Sequence, residues 1–266
     1  MSELFARVTT DLVVANRILA EQDVVDAYGH VSARHPHDPN RFLQSRSRSP
    51  QFVEADDIME FDLDGQCVDP ADDRPPYLER FIHAAIYRAR PDVHSVVHAH
   101  TEALLPYSIS DTELVPVIHS ASEMGPHVPK WDIRDRFGDA TDLLVTSPKM
   151  GHDLAECLGS NSVALMRGHG FVAAHESLIT LIGLCVYLAK NARVLTTARL
   201  LGSPITPLTP GEAGGRRSEP GANFDPDSPG VRRSWDYWAA RAGCSPDGPR
   251  RADRPESVRP TATEGS

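Results

Sequence analysis

The chain has 266 residues, with 27 lysines and arginines against 37 acidic side chains, so its formal charge is −10 and a nucleic-acid partner is not expected. Its composition, 40% hydrophobic and 24% charged, is typical of a soluble globular protein, and we expect no membrane helix because no apolar run comes near the required length of about 18 residues. The N-terminus shows no export signal and the four cysteines form no CxxC pair, which favours a cytoplasmic protein with reduced thiols.

Apolar residues recur at helical spacing in three stretches, which predicts helices over residues 2–20, 76–87 and 176–201. In the third stretch they form one apolar stripe, and Gly202 is a natural stop. Short strand-like runs separate the helices, and we predict strands at 41–44, 58–61, 93–98, 143–146, 163–166 and 171–174. Helices that alternate with short strands predict an α/β layer fold.

The composition changes after residue 202. The segment 203–266 contains 10 prolines and 8 glycines, which interrupt helices and strands before they can lengthen. We therefore predict one domain over 1–202, followed by a mostly irregular tail. Within the tail, a short aromatic helix is expected near 234–241, where two of the three tryptophans lie.

A His-x-His sequence ends the strand predicted at 93–98 and is the most informative feature of the chain. Side chains two positions apart on a strand point to the same face, so His98 and His100 can hold one cation between them. A third histidine, His169, lies between two glycines, which let the backbone approach closely. Three histidines leave a divalent ion with open coordination positions, which is typical of a catalytic metal site.

Glu79 is the candidate for proton transfer. It lies on the helix predicted at 76–87, whose inner face is expected to pack near the strand at 93–98, so its carboxylate would lie beside the ion. Two plainer interpretations stay open. A chain with 12 histidines contains some His-x-His by chance, and Glu79 can be an ordinary exposed glutamate.

Four segments of the chain occur together in a known family: GHVSAR at 29–34, YLERFIH at 77–83, VVHAH at 96–100 and RGHG at 167–170. In their order and spacing, over residues 5–202, the chain resembles the class II aldolase/adducin family. The resemblance implies a single three-layer α/β/α domain, a homotetramer with sites between subunits, and one divalent metal ion per chain. It makes His98, His100 and His169 the metal ligands and Glu79 the acid/base or a displaceable fourth ligand. The adducin branch lacks these histidines, so their presence favours an enzyme.

Two departures from the family concern the substrate. Sugar-phosphate aldolases of the family hold the phosphate with a Gly-Asn pair and a Ser-Ser pair, where this chain has Gly-His at 29–30 and Tyr-Leu at 77–78. An extended run with Arg46, Ser47 and Arg48 can instead aim two guanidinium groups at one carboxylate. The alternative is a pair of surface arginines without a role in binding.

The arginine run and residues 77–93 are similar to the decarboxylase branch of the family, which acts on hydroxylated aromatic dicarboxylates such as hydroxymethylpyridine dicarboxylate and dihydroxyphthalate. This resemblance implies a non-oxidative loss of CO2, in which Glu79 protonates the ring carbon and Arg46 or Arg48 holds a second carboxylate. It favours Mn2+ as the ion, with Zn2+ or Fe2+ as alternatives.

Four further residues are secondary candidates. His30, His119 and Tyr107 would orient the substrate or transfer protons. Trp235, in the aromatic segment of the tail, would stack on the substrate as part of a lid, or would simply dock on the helix predicted at 176–201.

Other functions stay open on the sequence alone. One is an aldolase that acts on an unphosphorylated acidic substrate. Another is a ferrous-iron oxygenase that performs oxidative decarboxylation on the same scaffold. A non-catalytic interaction protein would give no reason for the histidines and Glu79 to occur together. The expected partner is a small carboxylate in the cytoplasm, with no nucleic acid and no membrane.

Overall fold

A seven-stranded sheet forms the centre of the computed structural model, which describes residues 2–213, 228–245 and 248–249. Its strands are β1 (His30–Arg34), β2 (Arg41–Ser45), β3 (Ile58–Asp62), β4 (Ser95–Ala99), β5 (Lys130–Trp131), β6 (Val163–Met166) and β7 (Gly170–His175). They lie in the order β3-β2-β1-β4-β7-β6-β5, and neighbours are antiparallel except for the parallel pair β5 and β6. A separate two-stranded ladder pairs β8 (Cys244–Ser245) with β9 (Gly248–Pro249).

Helices cover both faces of the large sheet. They are α1 (Glu3–Glu21), α2 (Arg80–Ala89), α3 (Leu105–Ile109), α4 (Arg134–Phe137), α5 (Pro148–Leu158), α6 (Leu178–Leu200) and α7 (Pro229–Arg241). Side chains of a strand alternate between the faces, so Val97 packs into the core formed with α1, α6 and α7, whereas Val96 packs against α2 and α5. The three-layer α/β/α architecture is thereby confirmed.

The predicted elements agree with most of this architecture. The three predicted helices are confirmed as α1, α2 and α6, and five of the six predicted strands as β2, β3, β4, β6 and β7. The strand predicted at 143–146 is wrong, because this segment is irregular and the amide of Val145 donates to the side chain of Glu79 instead of to a neighbouring strand.

Apolar periodicity predicts neither β1 nor α5. Strand β1 carries His30, Ser32 and Arg34 on one face, and these polar side chains all contact residues of α2 or of the loop that follows it. Helix α5 does begin with a typical N-terminal signal: the side chain of Ser147 accepts a hydrogen bond from the amide of Met150, and a proline occupies the first turn.

Helix α6 is buried on more than one side. Its buried residues are not confined to the predicted stripe, because Leu181, Leu184 and Leu188 are buried as well. The expectation that no apolar run reaches the length of a membrane helix is wrong here: Leu178–Leu200 is long and apolar enough by length and composition, with a mean hydropathy of 1.6. An 18-residue part of the helix carries this hydropathy, and 67% of that part is buried inside the fold, which is typical of a core helix.

Helix α7 packs against α1 and α6 and extends the core of that layer. It begins after the N-cap Ser228 and is longer than the segment predicted at 234–241. Trp235 and Trp238 are buried in this core. The remaining parts of the predicted tail, residues 214–227, 246–247 and 250–266, lie outside the described residues.

Candidate metal centre

The three histidines predicted as ligands meet at one point. The Nε2 atoms of His98 and His100 lie 3.0 Å apart, and Nε2 of His169 lies 3.1 Å from Nε2 of His100. Oε2 of Glu79 lies 3.3 Å from Nε2 of His98 and 3.5 Å from Nε2 of His169. Since one ligand atom from each residue lies within 4.8 Å of the others, the structure brings together a cluster of three histidines and one glutamate.

The ends of neighbouring strands position these histidines. His98 lies on β4, His100 follows the end of β4, and His169 lies in the turn from β6 to β7. The ladder between β4 and β7 places that turn beside the end of β4. Gly170 permits the approach, because a Cβ atom there would lie 2.2 Å from the carbonyl oxygen of Ala99.

Two polar contacts hold the turn that carries His169. Nε of Arg167 lies 2.7 Å from the carboxylate of Asp132, and the amide of Gly168 donates a 3.1 Å hydrogen bond to Oγ of Ser108. Gly168 has a φ of +64°, in the left-handed region that favours glycine. The place of His169 is therefore set by the backbone and by neighbours on both sides of the turn.

A contact outside the cluster fixes the orientation of His98. Its Nδ1 lies 3.0 Å from the carbonyl oxygen of Phe171, which can only accept, so Nδ1 carries the proton and donates it. The lone pair is then on Nε2, which faces His100 and Glu79. This arrangement, in which the second ring nitrogen donates to a carbonyl, is typical of metal-bound histidines.

Glu79 is the N-cap residue of α2, not a residue within the helix as predicted. Its Oε1 accepts a 2.9 Å hydrogen bond from the amide of Val145, which leaves Oε2 facing His98 and His169. Burial by itself would raise the pKa of Glu79, but the adjacent imidazoles of His98 and His169 outweigh burial and lower the pKa well below its usual range. The side chain is therefore a buried carboxylate with one fixed oxygen and one that faces the cluster.

The cluster fits a divalent metal ion. Two ligand atoms that each lie about 2.1 Å from one ion, with a right angle between their bonds to it, are about 3.0 Å apart. The distances of 3.0 and 3.1 Å between the imidazole nitrogens match this value. Neutral imidazole is a ligand for zinc, iron and other first-row metals, and three such ligands leave coordination positions open for a substrate.

A cavity of about 300 Å³ opens beside the cluster. Glu79 and His100 line it, together with three of the other predicted site residues, His30, Ser47 and Arg48. The segments at 29–30 and 77–78, which depart from the phosphate-binding pattern, line it as well. The structure thus joins the cluster of histidines and Glu79 and the predicted substrate-binding run at one cavity.

Asp57 binds both arginines of that run. Its Oδ1 lies 2.6 Å from Nε of Arg46, and its Oδ2 lies 2.9 Å from Nη1 of Arg48. Burial raises the pKa of Asp57, but hydrogen bonds from Arg46, from the amide of Glu54 and from Arg48 outweigh burial and lower it. Of the two arginines, Arg48 lines the cavity. Arg46 therefore contacts Asp57, and Asp57 in turn fixes the guanidinium of Arg48.

Three secondary candidates lie away from the cluster. The hydroxyl of Tyr107 is buried and lies 2.8 Å from Oγ1 of Thr196 on α6. His119 lines a different cavity, of about 200 Å³, between α6 and α7. Trp235 is buried in the core beside α6. In the part of one chain that the structure describes, Tyr107, His119 and Trp235 thus lie away from the cluster of histidines and Glu79.

His30 belongs to a connected group of buried polar side chains whose importance the sequence does not predict. The group includes His83, Ser32 and Tyr87. The signal for it is spacing: His30 and Ser32 lie two positions apart on one strand, and His83 and Tyr87 lie one turn apart on a helix. The two pairs of residues come together only because β1 packs against α2, and the sequence does not predict that packing.

Comparison with known proteins agrees with this geometry. The family model described as "Class II Aldolase and Adducin N-terminal domain" matches residues 10–196. The chain belongs to the class II aldolase and adducin family. The family expected from the four sequence segments is thereby confirmed.

Relatives within the family include decarboxylases. The chain is 34% identical over 243 residues to "Decarboxylase tropJ" of Talaromyces stipitatus, covering 83% of this chain and 88% of that protein. It is 27% identical over 176 residues to 3,4-dihydroxyphthalate decarboxylase of Arthrobacter keyseri, covering 63% and 68%. The crystal structure of an aldolase II superfamily protein from Pseudomonas syringae matches with a TM-score of 0.73 at 25% identity, covering 91% and 94%. These relatives identify the chain as an enzyme of the lyase type and confirm its resemblance to the decarboxylase branch.

Proposed function

We propose that the chain is a metal-dependent, non-oxidative decarboxylase of a hydroxylated aromatic or heteroaromatic carboxylate or dicarboxylate. The observation that carries the proposal is the convergence of three imidazole nitrogens and Glu79 on the edge of a cavity that Arg48 also lines. The names of two relatives, both decarboxylases, support it.

His98, His100 and His169 would hold one divalent ion, which we propose to be Mn2+, with Zn2+ or Fe2+ as alternatives. When bound, the ion supplies a positive charge that stabilises negative charge on a neighbouring substrate oxygen. The fixed lone pair on Nε2 of His98 supports this assignment, because it needs no rearrangement to become a ligand.

Arg48 would bind a carboxylate of the substrate. Its Nη1 is held by Asp57, so the guanidinium keeps one orientation at the cavity wall, beside Ser47. Arginine binds carboxylates through two parallel hydrogen bonds, and a cavity of about 300 Å³ is the size of a site for one small ring compound. In this proposal Arg46 acts indirectly, by holding Asp57.

Glu79 would move the proton. Loss of CO2 breaks the bond between a ring carbon and a carboxylate carbon, and the electron pair of that bond stays on the ring. Oε2 of Glu79 would take the proton of the ring hydroxyl group and deliver it to that ring carbon. Because Oε1 is held by Val145, Oε2 is the oxygen that faces the reaction.

The rest of the chain would support this site. We assign the catalytic domain to residues 1–202 and an accessory tail to 203–266, in a cytoplasmic homotetramer. Leu200 and Leu201, which are 82% and 79% exposed at the end of α6, support an assembly in which another subunit covers them. Tyr107, His119 and Trp235 have structural roles in this proposal.

The proposal is tested by metal analysis and by a CO2 assay. Purified protein is incubated with 3,4-dihydroxyphthalate and with a hydroxypyridine dicarboxylate, with and without oxygen. We expect about one ion per chain and CO2 release that does not need oxygen. His98→Ala should abolish both, whereas His152→Ala, which alters an exposed histidine of α5, should change neither.

Other results would contradict the proposal in different ways. CO2 release that consumes oxygen would indicate an oxygenase. An aldehyde product without CO2 would indicate an aldolase. If the purified protein bound no divalent ion, the assignment of a metal centre would itself be wrong.

A further inference from the structure

Four buried polar side chains form one hydrogen-bonded chain that ends at the cavity. Nδ1 of His30 lies 2.7 Å from Nε2 of His83, and Nδ1 of His83 lies 2.6 Å from Oγ of Ser32. Oγ of Ser32 lies 2.8 Å from the hydroxyl of Tyr87. All four residues are 3% exposed or less, and the mechanism proposed above uses none of them.

One contact sets the direction of donation in this chain. Each ring nitrogen of a neutral histidine either donates or accepts, so two directions have to be distinguished. The amide nitrogen of Gln44, which can only donate, lies 3.3 Å from Nδ1 of His30, so Nδ1 accepts. Since Nδ1 of His30 accepts, Nε2 of His83 is the donor in that contact, and Nδ1 of a neutral His83 accepts from Oγ of Ser32. The single hydroxyl proton of Ser32 is then given to His83, so the hydroxyl of Tyr87 donates to Oγ of Ser32.

All donors then point towards the cavity. Tyr87 donates to Ser32, Ser32 donates to Nδ1 of His83, and Nε2 of His83 donates to Nδ1 of His30. The proton of His30 is therefore on Nε2. No residue that the structure describes hydrogen-bonds to this atom, and His30 lines the cavity. Nε2 is thus available as a donor to whatever occupies the cavity.

We propose that His30 donates a hydrogen bond from Nε2 to an oxygen of the substrate, and that His83, Ser32 and Tyr87 are positioning residues that keep its proton on that nitrogen. The hydrogen bond from His30 to the substrate rests on the proposed function, whereas the position of the proton on His30 does not. The proposal narrows the substrate class, because the group next to His30 has to be an acceptor such as a carboxylate or a ring oxygen. A substrate with an N–H group at that place would set its own donor against the N–H of His30, and it would therefore bind more weakly.

The tautomer is measured directly by 15N NMR of full-length protein that is prepared with Zn2+ and labelled at histidine. Signals of His30 are assigned by their loss in His30→Asn. We expect the proton on Nε2 in the wild type, and a larger share on Nδ1 in Tyr87→Phe and Ser32→Ala. The matched control is Ser95→Ala, because Ser95 is a buried serine on β4 that donates to the carbonyl of His175, and it should leave the tautomer unchanged.

Either of two NMR results would overturn the proposal. One is a wild-type His30 with its proton on Nδ1. The other is an unchanged tautomer in both Tyr87→Phe and Ser32→Ala, since His30 would then not depend on the buried chain.

The contact with the substrate is tested by a pair of variants at His83, assayed for CO2 release from 3,4-dihydroxyphthalate. In His83→Gln an amide nitrogen can take the place of the donating Nε2, whereas His83→Leu has no donor. We expect His83→Leu to raise KM about tenfold with little change in kcat, and His83→Gln to recover most of the loss.

Equal losses in His83→Gln and His83→Leu, at unchanged metal content, would overturn the proposal in favour of a packing role for His83. A wild type that releases no CO2 from any substrate tried contradicts the proposed function instead. In that case the NMR experiment still decides whether His30 is held as the Nε2 donor.

Discussion

The backbone amide of Val145 donates a 2.9 Å hydrogen bond to Oε1 of Glu79, 66 positions earlier in the chain. This bond joins the irregular segment before α5 to the N-cap residue of α2. It fixes the carboxylate in the orientation that directs Oε2 towards His98 and His169. The loop at 143–146 is therefore a part of the site, although none of its side chains takes part in the proposed reaction.

We expect Glu79→Gln to keep the metal ion and to lose the reaction. The amide oxygen of glutamine can still accept from Val145, but the amide nitrogen facing His98 cannot take up a proton. kcat should fall by about 10² to 10⁴. Steady-state CO2 release and metal analysis on the same preparation measure the two effects separately. Retention of a tenth or more of the wild-type kcat would show that another group moves the proton.

We expect Asp57→Asn to weaken both the fold and substrate binding, because Arg46 and Arg48 lose their common partner. The free energy of unfolding should fall by about 1–3 kcal/mol at pH 7, and KM should rise. Urea denaturation and substrate titration measure the two effects. Asp64→Asn is the control, since Asp64 is exposed in its ion pair with Arg88 and should change little.

The stabilisation by Asp57 should also depend on pH. Its pKa is lowered in the folded protein, so its contribution is fully present above the unfolded value of about 4 and is lost as the pH falls through the lower folded value. The difference in unfolding free energy between the wild type and Asp57→Asn should therefore shrink below about pH 4. A difference that grows in acid would contradict the contacts with the two arginines.

We expect Gly170→Ala to damage the metal centre. The new Cβ atom would lie 2.2 Å from the carbonyl oxygen of Ala99, so β4 and the turn that carries His169 have to move apart. Metal affinity should fall by about 10- to 100-fold, which is measured by competition with a chelator of known affinity. Gly183→Ala is the matched control, because a Cβ atom there makes only an ordinary contact at 4.0 Å with Trp238.

We expect Trp235→Ala to lower the stability of the fold and to leave metal content unchanged. The side chain is 5% exposed and packs in the core, so its removal should cost about 3–5 kcal/mol. Tyr237→Ala on the same helix should cost much less, since Tyr237 is 57% exposed. If Trp235→Ala instead lowered activity at full stability, α7 would act as a lid.

The three clustered histidines could be predicted because short sequence segments carry them. His98 and His100 are separated by one residue, and His169 lies in a four-residue segment that the family shares. The strand-like run before His98 was also visible in the sequence. What the sequence could not give was the capping position of Glu79 and its bond to Val145, because that contact joins two irregular segments.

The contacts of the arginine run were harder to predict for an electrostatic reason. Two arginines two positions apart can aim at one carboxylate, and they do, but that carboxylate belongs to Asp57 of the same chain. With 37 acidic side chains in the sequence, spacing alone does not identify the partner. Likewise, His83 and Tyr87 lie on the same face of the amphipathic helix α2, and only the packing of β1 against α2 shows that they belong to one polar chain.

His100 and His169 are separated by 69 positions and meet only after β4 and β7 have paired. An unfolded chain can therefore offer an ion the His-x-His pair but not the complete set of ligands. An ion that binds the folded state alone stabilises it by mass action, by about 2.7 kcal/mol at a free concentration 100 times Kd. The supply of the ion in the cell would thus govern how long each molecule survives proteolysis, so that metal starvation would reduce the amount of enzyme as well as its turnover.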